Sequence, residues 1–156
     1  NQFHALGLSL STEKPLWLLD PVLERVTNLH DLRRKILMKR YDMIEHARKA
    51  HTFGILLSTK SGQLNTAVAD NIKKKLDAHQ KEAIMITMKE LLPDELANFS
   101  TVDVFVDTAC PRVAVEDLPR FSKPIITVTE LLVVLGELSL EDISGKGFLT
   151  APYGAP

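Results

Sequence analysis

The sequence is short of the residues that build several common kinds of site. Among 156 residues there is one cysteine, Cys110, one tryptophan, Trp17, and seven glycines. A single cysteine excludes an internal disulfide framework and an autonomous cysteine-rich zinc site. The five histidines, His4, His30, His46, His51 and His79, show no HExxH pair or other paired-ligand spacing. Charge of either sign is not in excess: 19 Lys and Arg against 20 Asp and Glu leave a net charge of -1. An extended nucleic-acid footprint needs clustered surplus cations, so direct nucleic-acid binding is not expected. No apolar run approaches the roughly 20 residues of a membrane-spanning helix. No signal-peptide pattern is seen either, which makes the cytoplasm the expected location. The first residue is not Met and the sequence opens directly on apolar material, as a piece of something longer would.

What is present is the pattern of a globular α/β chain, 45% hydrophobic and 25% charged. Residues 5–10 read as a short apolar turn and residues 11–14 as a polar spacer. Leu16-Trp17-Leu18-Leu19, between Pro15 and Asp20-Pro21, reads as a buried strand that needs neighbours on both sides. A long helix follows, with Asn28 as its N-cap and Leu29, Leu32, Ile36, Met43, Ala47 and Ala50 as its apolar stripe. Its other face carries Arg33, Arg34, Lys35, Lys39, Arg40, Arg48 and Lys49, read as a solvated face or as a patch for an acidic protein or RNA surface.

Beyond His51 strands and helices alternate. Residues 53–57, 83–88, 102–107 and 124–128 are strands. Helices are expected from Leu64 through Leu76, over residues 93–99 and 115–121, and over 129–136 with Thr129 as cap and Gly136 as stop. Four nearly all-apolar strands separated by helices specify a small four-stranded parallel sheet flanked by helices. It is preceded by the last strand and long helix of a similar domain. The expected organisation is therefore residues 1–51 ending a preceding α/β domain, residues 52–138 a complete one, and residues 139–156 an irregular tail.

Ligands of open parallel sheets bind at the carboxyl ends of the strands. The first segment expected there is Ser58-Thr59-Lys60-Ser61-Gly62-Gln63, polar and opening into a helix, where backbone N–H groups and Lys60 favour an anion. It lacks the spacing of a triphosphate-binding P-loop. The second is Asp107-Thr108-Ala109-Cys110-Pro111-Arg112, where a helix start and a cation would lower the cysteine pKa, although a buried structural thiol satisfies the same residues. The third is Thr127-Val128-Thr129-Glu130, in which Glu130 complements the helix dipole. Glu116 and Asp117 read as solvated capping residues, and His46 and His51 as helix-surface and helix-end residues without a chemical role.

Together these segments resemble a known family. Residues 106–114 and 53–63 look like the third domain of the diphthamide-synthesis enzyme family, the 2-(3-amino-3-carboxypropyl)histidine synthases. Phe3-His4-Ala5-Leu6-Gly7-Leu8 resembles a segment late in the family's second domain, with Ala5 in place of a proline. Lys123-Pro124-Ile125-Ile126-Thr127 and Glu130 resemble the segment after the family's third cysteine, and Asp31-Leu32-Arg33-Arg34 and Lys39-Arg40-Tyr41 also fit. The resemblance implies a [4Fe–4S] cluster held by one cysteine from each of three homologous domains, and S-adenosylmethionine cleaved on its aminocarboxypropyl side. The transferred group goes to a histidine of elongation factor 2, the first step of diphthamide formation, in an enzyme that in archaea is a homodimer. By this match Cys110 is the third cluster ligand, with the other two expected upstream. Ser58, Thr59, Lys60, Gly62, Gln63, Asp107 and Arg112 then shape the S-adenosylmethionine cleft, with Arg112 suited to pair with a carboxylate. His4 either lines an interdomain cleft or caps a strand. The chain alone, with one thiolate of three, is expected to be inactive. The competing reading is a non-catalytic α/β ligand-binding or partner-subunit module in which Cys110 is structural.

Overall fold

The structure, a computed structural model, describes residues 2–10, 12, 14–60, 65–109 and 121–144. Its centre is a four-stranded, wholly parallel sheet. The strands are β3 (Thr52–Ser58), β4 (Glu82–Met88), β5 (Val104–Asp107) and β6 (Ile125–Thr127), in the order β4-β3-β5-β6. The interior strands earn their place by composition: residues 53–58 of β3 and all of β5 are buried, as expected for strands covered on both faces. Strand β4 lies at one edge and leaves Ile84 and Met85 partly exposed.

Alternation along the strands builds two cores. Phe53, Ile55 and Leu57 of β3 join Val104, Val106 and Ile126 on one face. That face is covered by α2 (His30–Arg48), α3 (Thr66–Ala78) and α5 (Val128–Val134), through Ala47, Ile72, Leu76 and Leu131. On the opposite face Leu56, Ile86, Phe105 and Ile125 pack against Leu96 of α4 (Pro93–Ala97). Each fully buried Leu, Ile or Phe contributes about 1.5–3 kcal/mol relative to exposure. The step from β3 to β4 runs through α3 and the return to β5 through α4, on opposite faces and in opposite directions. Both crossovers therefore have one hand, as parallel sheets require.

Capping chemistry sets the helix limits. Asn65 Oδ1 accepts the Val68 N–H (3.2 Å) to open α3. Helix α5 opens on a capping box at Thr127, two residues before the expected Thr129: Thr127 Oγ1 accepts the Glu130 N–H (3.3 Å), and Glu130 Oε2 accepts the Thr127 N–H (2.7 Å). Gly136, at φ 77°, takes the left-handed conformation that stops the chain after α5.

The N-terminal third departs from the sequence reading. Residues 2–10 form a helix, α1 (Gln2–Leu10), rather than an apolar turn, and its Leu10 is buried against Leu32, Ile36 and Leu37 of α2. The expected buried strand is half of an antiparallel hairpin, β1 (Trp17–Asp20) with β2 (Arg25–Asn28). Its turn is held by Asp20 Oδ1, which accepts the Val22 and Leu23 N–H groups (both 3.0 Å). The hairpin is exposed, Trp17 at 59% and Val22 at 87%. Asn28 acts one position before the N-cap: its Oδ1 accepts the His30 N–H (2.9 Å) while Leu29 is the N-cap. The expected irregular tail begins with a short helix, α6 (Leu140–Ser144), whose Ile143 is buried against Ile44 and Val133. The expected helical turn at residues 115–121 lies outside the described residues, save Phe121.

Candidate site at the sheet switch point

The chain leaves β3 towards β4 on one side and later returns to β5 on the other, so the two loops after β3 and β5 diverge. In doubly wound sheets that divergence opens the ligand crevice at the carboxyl edge. The described parts of the first two segments singled out from the sequence, residues 58–60 and 107–109, lie on its two banks. Parallel register pairs Leu56 with Asp107, and alternation puts Ser58 and Asp107 on the same face of the sheet.

On the β3 bank Ser58 is buried and its Oγ accepts the Lys60 N–H (3.2 Å), while the Thr59 N–H bonds to the Met88 carbonyl (2.9 Å). Thr59 and Lys60 are exposed. Lys60 was expected to add positive charge for an anion, but its Nζ lies 3.0 Å from Glu90 Oε1, so part of its field is cancelled. The hydrogen bond from Lys60, helped by its charge, in turn holds the Glu90 carboxyl below its usual range. Gly62 and Gln63 lie outside the described residues.

On the β5 bank Asp107 is buried, and its Oδ1 accepts the Ala109 N–H (2.8 Å). This Asx turn bends the chain as it leaves the sheet. Thr108 Oγ1 donates to the Leu56 carbonyl (2.7 Å), tying that bend back to β3. Cys110 and Arg112 follow in the chain and lie outside the described residues. The residues that lead to the cysteine thus form a turn fixed on two sides by short side-chain hydrogen bonds. Among the described residues no three His, Cys, Asp or Glu side chains group as metal ligands. A cavity of about 310 Å³, with Asp42, His46 and Lys123 in its wall, lies instead by Pro124 at the start of β6, the opposite end of the strands.

The sequence reading missed two polar constructions. Arg40, assigned to the solvated face of the long helix, is 1% exposed. Its Nε donates to Glu130 Oε1 (2.6 Å), and its Nη2 bonds to Glu130 Oε2 and to the Ile125 carbonyl (3.0 Å). Glu130, read as complementing the helix dipole, is fully buried and does so as an ion-pair partner. Lys123 Nζ donates to three carbonyls, of Phe99 (2.8 Å), Ser100 (2.9 Å) and Val102 (2.5 Å), and so fastens the approach to β5 against the approach to β6. His4 lies in α1, and its side chain is outside the described residues.

The model of the diphthamide synthesis protein family matches residues 1–144. The chain belongs to this family. The 2-(3-amino-3-carboxypropyl)histidine synthase of Pyrococcus horikoshii is 34% identical over 146 residues, which are 92% of this chain and 42% of that protein. Subunit 1 of the Saccharomyces cerevisiae synthase is 34% identical over 79% of this chain and 29% of its own length. The chain is also similar to the crystal structure of Dph2 from Pyrococcus horikoshii with a 4Fe-4S cluster, at a TM-score of 0.81 and 30% identity, over 99% of this chain and 43% of that one. It thus spans well under half the length of the relatives it matches.

Proposed function

We propose that the chain is part of a 2-(3-amino-3-carboxypropyl)histidine synthase, which transfers a 3-amino-3-carboxypropyl group from S-adenosylmethionine to a histidine of elongation factor 2. In this reading Cys110 is one thiolate ligand of a [4Fe–4S] cluster. The observation that carries the reading is the position of the residues leading to Cys110: they end β5 at the switch point, where two loop banks face one crevice. The 4Fe-4S content of the Dph2 structure supports it.

The donor set fits one corner of such a cluster. Iron–sulfur clusters are held by several cysteine thiolates, and this chain has one cysteine. The remaining thiolates come from other parts of the full-length enzyme. When bound, the cluster supplies the electron for S-adenosylmethionine cleavage and an iron free of protein thiolate to hold that substrate. The chain's own residues do the positioning. Asp107 and Thr108 fix the bend that precedes the ligand. Ser58, Thr59 and Lys60 line the opposite bank; with Gly62 and Gln63 they contact S-adenosylmethionine, and Arg112 pairs with the substrate carboxylate. Residues 52–138 are the third of three related domains and residues 1–51 the end of the second. The complete enzyme works in the cytoplasm as a homodimer.

Anaerobic reconstitution with iron and sulfide tests the reading. The full-length enzyme is expected to develop cluster absorbance and to cleave S-adenosylmethionine; its Cys110→Ala variant and the isolated 156-residue chain are expected to do neither. A stable cluster in either of the last two overturns it.

A further inference from the structure

Strand β6 is three residues long and lies at the edge of the sheet. Along a strand, successive residues turn their N–H and C=O groups alternately to the two sides. The Pro124 carbonyl bonds to the Phe105 N–H (2.9 Å), so Pro124 and Ile126 point inward to β5, and Ile125 and Thr127 point outward. Those outward groups are met by the two buried charges. Arg40 Nη2 donates to the Ile125 carbonyl (3.0 Å), and Glu130 Oε2 accepts the Thr127 N–H (2.7 Å). A donor from α2 and an acceptor from α5, joined by their own ion pair, stand where a fifth strand would stand.

This arrangement reaches the candidate site in one step. Thr127 pairs in register with Asp107, and Asp107 Oδ1 holds the Ala109 N–H that precedes Cys110. Stability is not what such a pair supplies best. Removing two charges from water costs about as much as their attraction returns, and apolar residues of similar size often serve stability as well. An ion pair does fix direction and register. We infer that Arg40 and Glu130 are positioning residues for the turn at residues 107–109 that leads to Cys110: they lock the carboxyl end of β6, and through it the end of β5. The inference rests on the cluster reading above.

The test uses the full-length enzyme, with Arg40→Met/Glu130→Met to replace the pair by apolar side chains and Glu130→Gln to keep an acceptor without the charge. Circular dichroism and melting establish folding; iron and sulfide reconstitution, electron paramagnetic resonance and the rate of cluster loss to a chelator give the readout. The folded double variant is expected to lose its cluster about tenfold faster than the parent, as for other outer-shell partners of metal ligands, with an altered resonance signal. Glu130→Gln is expected to fall between the two. A folded double variant with the parent's signal and rate of loss overturns the inference. So does unfolding of both variants, which makes the pair a stability element. Cys110→Ala run in parallel separates the two failures: parental cluster content there sinks the cluster reading itself.

Discussion

Gly54 of β3 and Phe105 of β5 face each other across the sheet, and a β-carbon on Gly54 would lie 2.7 Å from Phe105 Cδ1 and 3.0 Å from Ile86 Cδ1. The ring occupies the space that any other residue at position 54 needs. Gly54→Ala is expected to destabilise the protein by about 1–3 kcal/mol through overpacking, read as a lower urea midpoint. Phe105→Leu in the same chain should recover part of that loss, since neighbouring substitutions couple.

Lys123 offers a different kind of loss. With three carbonyls on one ammonium, Lys123→Met keeps the stem but strips those acceptors of their donor. A cost of about 2–3 kcal/mol follows from the energetics of charge-assisted hydrogen bonds. Thermal melts of the variant and parent at neutral pH check it.

Asp103 predicts part of the acid limb. Its carboxyl is held below its usual range, first by the Thr52 N–H and then by the His51 N–H, both donated to Oδ2 (3.0 and 2.9 Å). A group whose folded pKa is depressed contributes stability that is complete above its unfolded pKa and disappears as pH falls through the folded one. Asp103→Asn should therefore lower stability at neutral pH and flatten its decline below the ordinary carboxylate range. Denaturation curves across the acid range that run parallel for variant and parent refute this.

Arg112 tests the proposed binding of S-adenosylmethionine. Its planar fork binds a carboxylate by two hydrogen bonds, which a lysine does not reproduce. In the full-length enzyme Arg112→Lys is expected to weaken S-adenosylmethionine binding on the order of tenfold. Calorimetry with equal affinities for variant and parent removes Arg112 from the substrate's contacts.

The sheet and its helices were legible because buried parallel strands write themselves as apolar runs, and residues 53–57 and 104–106 are such runs. The hairpin was not, because its two halves carry opposite signals. Leu16-Trp17-Leu18-Leu19 looks like core, whereas its partner Arg25–Asn28 is polar and its turn holds Val22 and Leu23. Arg40 was hidden inside a run of basic residues, with its partner 90 positions along the chain. A local signal for it exists: Ile36, Arg40 and Ile44 are spaced by four, so Arg40 falls within the apolar stripe rather than opposite it. The capping box was also written plainly, as Thr127 followed three residues later by Glu130. Strand ends and turn residues located the candidate crevice, but side-chain pairing over long separations leaves no periodic trace.

The closed side of β6 bears on how the protein associates with other chains. With the Ile125 carbonyl and Thr127 amide already satisfied by side chains, that strand presents no template on which a foreign strand could grow. Any strand-to-strand recruitment through this sheet, whether by a physiological partner or in a misassembled aggregate, is thereby directed to the far side, along β4.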